Sequence, residues 1–101
     1  MSDIKRFTSF RRDMDNRETH SALQKNPESE PQYEGVIFTD GTVALRWLTP
    51  LASTSVWPDL ATALGVHGHP EYGTDIVWHD AEPPQVWIDL VAAAQEQSNE
   101  T

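Results

Sequence analysis

Alternating apolar and polar side chains mark a hairpin in the middle of the chain. The hairpin segment, residues 34–48, reads EGVIFTDGTVALRWL, and two runs of β-forming residues flank Asp40-Gly41. Asp-Gly favours the positive φ angles of a type I′ turn, whose twist matches that of the strands on either side. We therefore predict that the two runs pair as antiparallel strands joined by this turn.

The second run of this hairpin presents different side chains to its two faces. Val43, Leu45 and Trp47 share one face, because side chains in a strand alternate. Arg46 lies on the other face, between Ala44 and a leucine. Since neither face is uniformly polar, we expect the sheet to be covered on one side and partly covered on the other.

A short helix is predicted after the hairpin, over residues 58–64. Pro58 suits the first helical position, and Gly65 suits the left-handed residue that often follows a helix. Leu60 and Leu64 lie four residues apart and therefore on one side of the helix. We expect that side to face the sheet.

Four further segments extend this pattern. TDIVWHD (74–80) alternates as a strand, and STSVW (53–57) is a short extended segment. RFTSFRR (6–12) is assigned as a strand because Phe and Thr favour β structure, although apolar residues there also recur near helical spacing. EPPQVWIDLVAAAQEQ (82–97) predicts a helix with prolines at its entry.

The sequence thus predicts an α+β fold with a small antiparallel sheet of three to four strands. The hairpin is central, and the short helix and the C-terminal helix pack on the sheet. Residues 1–97 form a single small domain with a long mobile loop at about 16–33, where polar residues and proline replace any periodicity. Residues 98–101 form a flexible tail.

Charge is distributed unevenly along this acidic chain, whose formal net charge is -9. Six of the seven basic side chains fall in residues 1–34, whereas residues 35–101 carry nine acids and Arg46 alone as a base. Such a field disfavours binding to nucleic acid or to an anionic membrane, because phosphate contacts require clustered Lys and Arg. A protein partner is the expectation that remains, and the sequence leaves the oligomeric state open.

Targeting and redox signals are absent from the given sequence. It contains no cysteine, and no apolar run has the length of a signal peptide or a membrane span. We expect a soluble, cytoplasmic protein, located in the host cytoplasm if a phage encodes it.

Several short motifs occur in an order that resembles a known group of proteins. The succession of F..F.RD.D, GVIFTDGTVALRWL, STSVW, VHGH and TDIVWHD, over roughly residues 7–80, resembles small uncharacterised proteins of actinobacteria, haloarchaea and their phages. The resemblance implies a small fold and a phage or prokaryotic setting, and no mechanism. Members usually carry a glycine-rich stretch before the hairpin, where this chain has the polar segment 16–32.

Three histidines lie close together in the sequence and form a candidate metal site. They are His67, His69 and His79, with Glu71, Asp75 or Asp80 available as a further ligand. Imidazole and carboxylate together suit zinc or nickel, and such a site would make the chain a small metal-dependent hydrolase. No ligand signature such as HExxH is present.

A structural explanation of the same segment is favoured over the metal site. Gly68 lets the chain reverse after the short helix, and Pro70 prevents the helix from resuming. His67 then lies at the C-terminus of the helix, where the dipole favours imidazolium. Neither a GxSxG motif nor a phosphate loop is present, so the sequence favours a protein that is not an enzyme and needs no cofactor.

Tryptophan and arginine supply the candidate binding residues. Trp47, Trp57 and Trp78 are large enough to fill the core of a small domain, yet Trp exposed beside acids anchors many protein interfaces. Arg46 is expected to pair with Asp75 or Asp80 across strands.

These observations favour a non-catalytic acidic interaction module. We expect a phage or prokaryotic accessory protein that binds a host or virion protein, with Trp47, Arg46, Trp57 and Trp78 as binding residues. One alternative is the metal-dependent hydrolase using His67, His69, His79 and Asp80. A further alternative is a structural component of the virion.

Overall fold

The computed structural model describes residues 3–12, 26–27 and 29–99. These residues form five strands, two α-helices and a single 3₁₀ turn. The elements in chain order are β1 (Lys5–Arg11), β2 (Pro31–Ile37), β3 (Val43–Trp47), β4 (Thr54–Trp57), α1 (Leu60–His67), the 3₁₀ turn (Pro70–Tyr72), β5 (Thr74–Trp78) and α2 (Gln85–Asn99).

All five strands join one antiparallel sheet in the order β4-β3-β2-β1-β5. The α+β class, the central hairpin β2-β3 and the assignment of residues 6–12 to a strand are confirmed. The predicted number of three to four strands is wrong. The extended segment after the hairpin pairs with β3 as β4, and β1 enters the sheet between β2 and β5.

The hairpin closes through a different turn from the one predicted. The Gly41 amide donates to the Phe38 carbonyl at 2.9 Å, and the Phe38 amide donates to the Thr42 carbonyl at 2.8 Å. Within this turn only Gly41 has a positive φ, 91°, whereas a type I′ turn would also require one at Asp40. The loop is therefore the three-residue kind that ends in a left-handed glycine. The Asp40 carboxylate accepts from the Thr42 amide at 2.9 Å and fixes the turn from within.

Both helices pack on the same face of the sheet. The core formed there consists of Phe7, Tyr33, Val43, Leu45, Leu60, Ala63, Leu64, Ile76 and Trp87. The sheet residues in this set share one face, because the register places Phe7 opposite Gly35 and Gly35 opposite Leu45. We call it the covered face. Leu45, Leu60, Leu64 and Ile76 are buried, whereas Trp47 and Leu90 are only partly buried.

A close approach between β1 and β2 lies at the centre of the covered face. Gly35 stands directly opposite Phe7, whose ring lies over the glycine. A Cβ on residue 35 would lie 2.2 Å from the Phe7 Cζ atom, well inside van der Waals contact. Only glycine therefore allows the Phe7 ring to occupy this position.

Helix α1 begins and ends on side-chain and backbone caps. Asp59 is the N-cap, and its carboxylate accepts from the Thr62 amide at 2.7 Å. At the other end the Gly68 amide donates to the Leu64 carbonyl at 2.8 Å. The predicted end at Gly65 is wrong, because the helix continues through that glycine for two more residues and ends at His67.

Gly65 offers a stabilising substitution. It is exposed within α1, and a Cβ there would meet no atom within 4 Å. We expect Gly65→Ala to raise the free energy of unfolding by about 0.5–1 kcal/mol, because alanine loses less conformational entropy in a helix. Urea unfolding of the two proteins measures the difference. A less stable variant would show that residue 65 is not helical in solution.

The predicted loop at about 16–33 lies largely outside the described residues, and β2 begins at Pro31. The Asn26 side chain lies at this end of the sheet and donates to the carbonyls of Pro31 and Leu48. Of the predicted tail, residues 100 and 101 are outside the described part. Neither described helix combines the length and apolar character that a membrane span requires.

Candidate functional site

The face of the sheet opposite the helices is uncovered within the described part of the chain. Val56, Ala44 and Val36 lie side by side and form an apolar row that runs from the edge strand β4 across β3 to β2. Val56 is 69% exposed, and Val77 on β5 is 41% exposed. We call this surface the open face. It is unusual for a sheet face left to solvent, because such faces are commonly polar.

Ion pairs flank the apolar row on the side of β1 and β5. The Arg6 guanidinium donates from Nε and Nη2 to the two carboxylate oxygens of Asp80, at 2.9 Å each. The Arg6 backbone amide donates to the same carboxylate at 2.8 Å. This pairing lowers the pKa of Asp80 to about 2. Arg12 donates to Asp75 at 3.1 Å, and its guanidinium lies 4.1 Å from the centre of the Phe10 ring.

Arg46 has a different partner from the one expected. It does not pair with Asp75 or Asp80, because β2 and β1 separate its strand from β5. Its guanidinium instead donates to the Thr54 hydroxyl at 3.1 Å, and no ion pair to it occurs among the described residues. Arg46 is exposed on the open face and remains accessible to a carboxylate from a partner.

The covered face carries an aromatic cluster beside the C-terminal end of α1. The cluster consists of Tyr33, Trp47, Trp57 and His67. The His67 ring stands edge-on to both indoles, at centroid distances of 4.8 Å to Trp47 and 5.4 Å to Trp57. The imidazole of His67, the last residue of α1, therefore contacts aromatic rings from three strands.

Tyr33 ties this cluster to the helix. Its hydroxyl donates to the His67 carbonyl at 2.9 Å and so satisfies one of the carbonyls that the end of a helix leaves open. Burial raises the pKa of the Tyr33 hydroxyl to about 12. The side chain thus remains neutral and able to donate throughout the physiological range.

Burial between the rings lowers the pKa of His67 below its usual value of 6.5, and the nearby His69 acts in the same direction. Below pH 6.5 the unfolded chain therefore binds a proton at this position more readily than the folded chain does. We expect stability to decrease as the pH falls through 6.5. The melting temperature between pH 8 and pH 5 should decrease less steeply in His67→Gln. Equal slopes for the two proteins would contradict the assigned burial.

The three histidines of the candidate metal site have separate partners. His67 lies in the aromatic cluster, His69 contacts the Glu71 carboxylate at 2.8 Å, and the His79 ring contacts the Thr8 hydroxyl at 2.7 Å. Among the described residues, no three His, Asp or Glu side chains form a group that could hold a metal ion. Asp80, the fourth predicted ligand, is bound by Arg6.

The four predicted binding residues fall on two faces. Trp47 and Trp57 meet in the aromatic cluster on the covered face, where both are partly buried. Trp78 is at the other side of that face, 5.0 Å from the Phe7 ring and 6.4 Å from Trp87 between centroids. Arg46 is the one of the four on the open face.

Sequence reasoning missed the roles of Arg6, Arg12 and Tyr33. Alternation within β1 could have placed Arg6 and Arg12 on the face opposite Phe7. Their partners could not be inferred in this way, since the pairing of β1 with β5 joins residues more than sixty positions apart. Tyr33 gave no signal, because it was assigned to the polar loop.

Comparison with known proteins gives one match. Residues 33–80 match the family model described as Acb5 phage protein. The matched segment runs from β2 through β5, and it leaves out β1 and α2. No curated protein matches the chain. No solved structure matches it. The match supports a phage-associated family of small proteins, in agreement with the phage setting that the sequence implied.

Proposed function

We propose that this chain is a non-catalytic phage accessory protein whose open face binds a host or virion protein. The observation that carries the proposal is the apolar row of Val36, Ala44 and Val56 on a sheet face that no described element covers. Apolar surface in a contiguous patch marks interaction sites on small soluble proteins. The phage family match over residues 33–80 supports the setting, and the expected location is the host cytoplasm.

The chemistry of the open face indicates the kind of partner surface that would fit it. The centre of the partner surface should be apolar, to bury the valine row. A carboxylate should lie beside that centre, because Arg46 is exposed and holds only a neutral hydroxyl. Arginine at an interface commonly contributes a large share of the binding energy, since it donates in two directions from one planar group.

A capture experiment with paired variants tests this proposal. The tagged chain is exposed separately to host lysate and to purified virions, each captured protein is purified, and its direct binding is titrated. We expect Val77→Glu and Arg46→Ala each to weaken that binding about tenfold or more, because the first places a charge on the open face and the second removes its arginine. Binding from the lysate arm assigns an accessory role, and binding from the virion arm assigns a virion partner.

Ile88→Glu is the matched control. Ile88 is 47% exposed, close to the 41% of Val77, but it lies on α2, which packs on the covered face. The two substitutions introduce the same charge into an aliphatic site of similar exposure. We expect Ile88→Glu to bind like the unmodified chain. If Ile88→Glu weakens binding as much as Val77→Glu does, the open face is not the binding surface.

A further inference from the structure

We infer that β4 pairs with β4 of a second copy of this chain, so that two sheets join at their edges. The proposal does not require the proposed function, because backbone groups at the edge of the sheet make the pairing, although Val56 belongs to both the edge strand and the open face. It rests on the hydrogen-bonding groups that β4 leaves unpaired, on the absence of charge along that edge, and on the fit of the strand to itself.

The register of β3 and β4 determines which backbone groups point away from the sheet. The Trp47 amide donates to the Ser53 carbonyl at 2.8 Å, so these two residues form a hydrogen-bonded pair. Such pairs recur at every second residue of an antiparallel ladder. Ser55 and Trp57 therefore bond to β3, whereas the amides and carbonyls of Thr54 and Val56 point outward along the free edge.

The two edges of the sheet differ in charge. No charged side chain occurs from Trp47 to Pro58, a segment that contains all of β4. The other edge strand, β5, carries Asp75, and Asp80 follows it. Natural proteins place charges on edge strands to prevent their pairing with other chains, and β4 lacks that protection.

A second copy of this acidic chain can approach most readily at an edge that carries no acidic side chain, and β4 is such an edge. Each copy carries a net charge of -9, so two copies repel wherever acidic surfaces meet. At β4 they can approach through a strand that has no charged side chain of its own, with the Arg46 guanidinium of β3 beside Thr54 as the nearby charge. The edge is also apolar, because Leu51 and Val56 are 56% and 69% exposed.

One antiparallel register uses every outward group of both strands. It places Thr54 of each copy opposite Val56 of the other, which forms four backbone hydrogen bonds between the copies. Ser55 then faces Ser55 of the second copy as a non-hydrogen-bonded pair, in which Cα atoms lie about 4.5 Å apart. Pro58, which has no amide to donate, lies outside this pairing.

Cysteine cross-linking of the full chain tests both the pairing and its register. The chain has no cysteine, so one introduced thiol reports on one contact. We expect Ser55→Cys to form a disulfide-linked dimer under mild oxidation, because the expected Cα separation suits a disulfide. Thr54→Cys is the control. Its own counterpart would lie diagonally, roughly 7–8 Å away, beyond the reach of a disulfide.

The control is demanding because residue 54 is exposed, whereas residue 55 is half-buried. Random collisions would therefore favour the Thr54→Cys variant. Preferential cross-linking at residue 55 supports the proposed pairing. Equal cross-linking, or a preference for residue 54, would overturn it.

Sedimentation analysis of the unmodified chain gives a second measurement. We expect a dimer of twice the 11.4 kDa chain mass, with an affinity that increases with salt as the repulsion between acidic copies is screened. Val56→Pro removes an outward amide that β3 does not use and should weaken dimerisation roughly tenfold or more. A monomer at all concentrations and salts would overturn the proposal.

Glutamate variants cover the case in which the proline variant fails to fold. Val56→Glu places two like charges across the pairing and should also weaken the dimer. Val77→Glu makes the same change on β5 and should leave dimerisation unaltered. Val77→Glu is expected to weaken partner binding through the open face but not dimerisation. The two proposals can therefore be contradicted by different measurements. Equal effects of Val56→Glu and Val77→Glu on dimerisation would contradict pairing through β4.

Discussion

Leu45→Ala is expected to lower the free energy of unfolding by about 2–5 kcal/mol, the range for truncating a buried leucine. Leu45 is 0% exposed at the centre of β3, and the core packs around it from both helices. A domain of this size has a total stability of about 5–15 kcal/mol. Urea unfolding followed by tryptophan fluorescence measures the loss, and we expect a markedly lower midpoint with a cooperative transition.

Val56→Ala is the matched control for this prediction. It truncates an aliphatic residue on the neighbouring strand, but at a site that is 69% exposed. We expect a change within about 0.5 kcal/mol at concentrations where the chain is monomeric. If Leu45→Ala were as stable as the control, the covered face would not be the core.

Gly35→Ala is expected to destabilise the fold by about 1–3 kcal/mol through overpacking. The added methyl would lie 2.2 Å from the Phe7 Cζ atom. Phe7 is itself 1% exposed, so its ring is held within the core and cannot turn away from residue 35 without disturbing its neighbours. Thermal and urea unfolding should both show the loss. Unchanged stability would mean that the ring does not lie over residue 35 in solution.

A smaller residue at position 7 should relieve this clash. We expect Phe7→Leu to destabilise the unmodified chain, because it leaves a cavity, and to destabilise Gly35→Ala by less. The four proteins form a double-mutant cycle that isolates the contact between the two positions. A coupling energy near zero would show that Gly35→Ala acts through the backbone and not through the Phe7 ring.

Local features of the fold could be predicted from the sequence. Alternation across Val43 to Trp47 gave the two faces of β3 correctly, because strand geometry alone determines it. The Asp40-Gly41 pair located the hairpin, although its turn type depended on backbone angles that two residues do not determine. Helix α1 was located by its leucines, but its end was misplaced because Gly65 was assumed to terminate it.

Long-range features could not be predicted in the same way. Arg46 was assigned to Asp75 or Asp80 because it is the only base after residue 34, and the insertion of β1 between the hairpin and β5 removed that contact. The aromatic cluster around His67 depends on three neighbouring strands packing beside the end of one helix. The uncovered apolar row follows only from the joint register of β2, β3 and β4.

The position of β1 inside the sheet has a consequence for synthesis on the ribosome. One edge of β1 pairs with β2, and the other edge can pair only after β5 has been synthesised. The last residue of β5, Trp78, lies 67 positions beyond Arg11 (78 minus 11). At about 5–20 residues per second, translation of that interval takes roughly 3–13 s. Lys5, Arg6 and Arg11 flank the phenylalanines of β1 during this time. We expect these cations to act as gatekeepers that keep the nascent strand from pairing with other chains until β5 arrives.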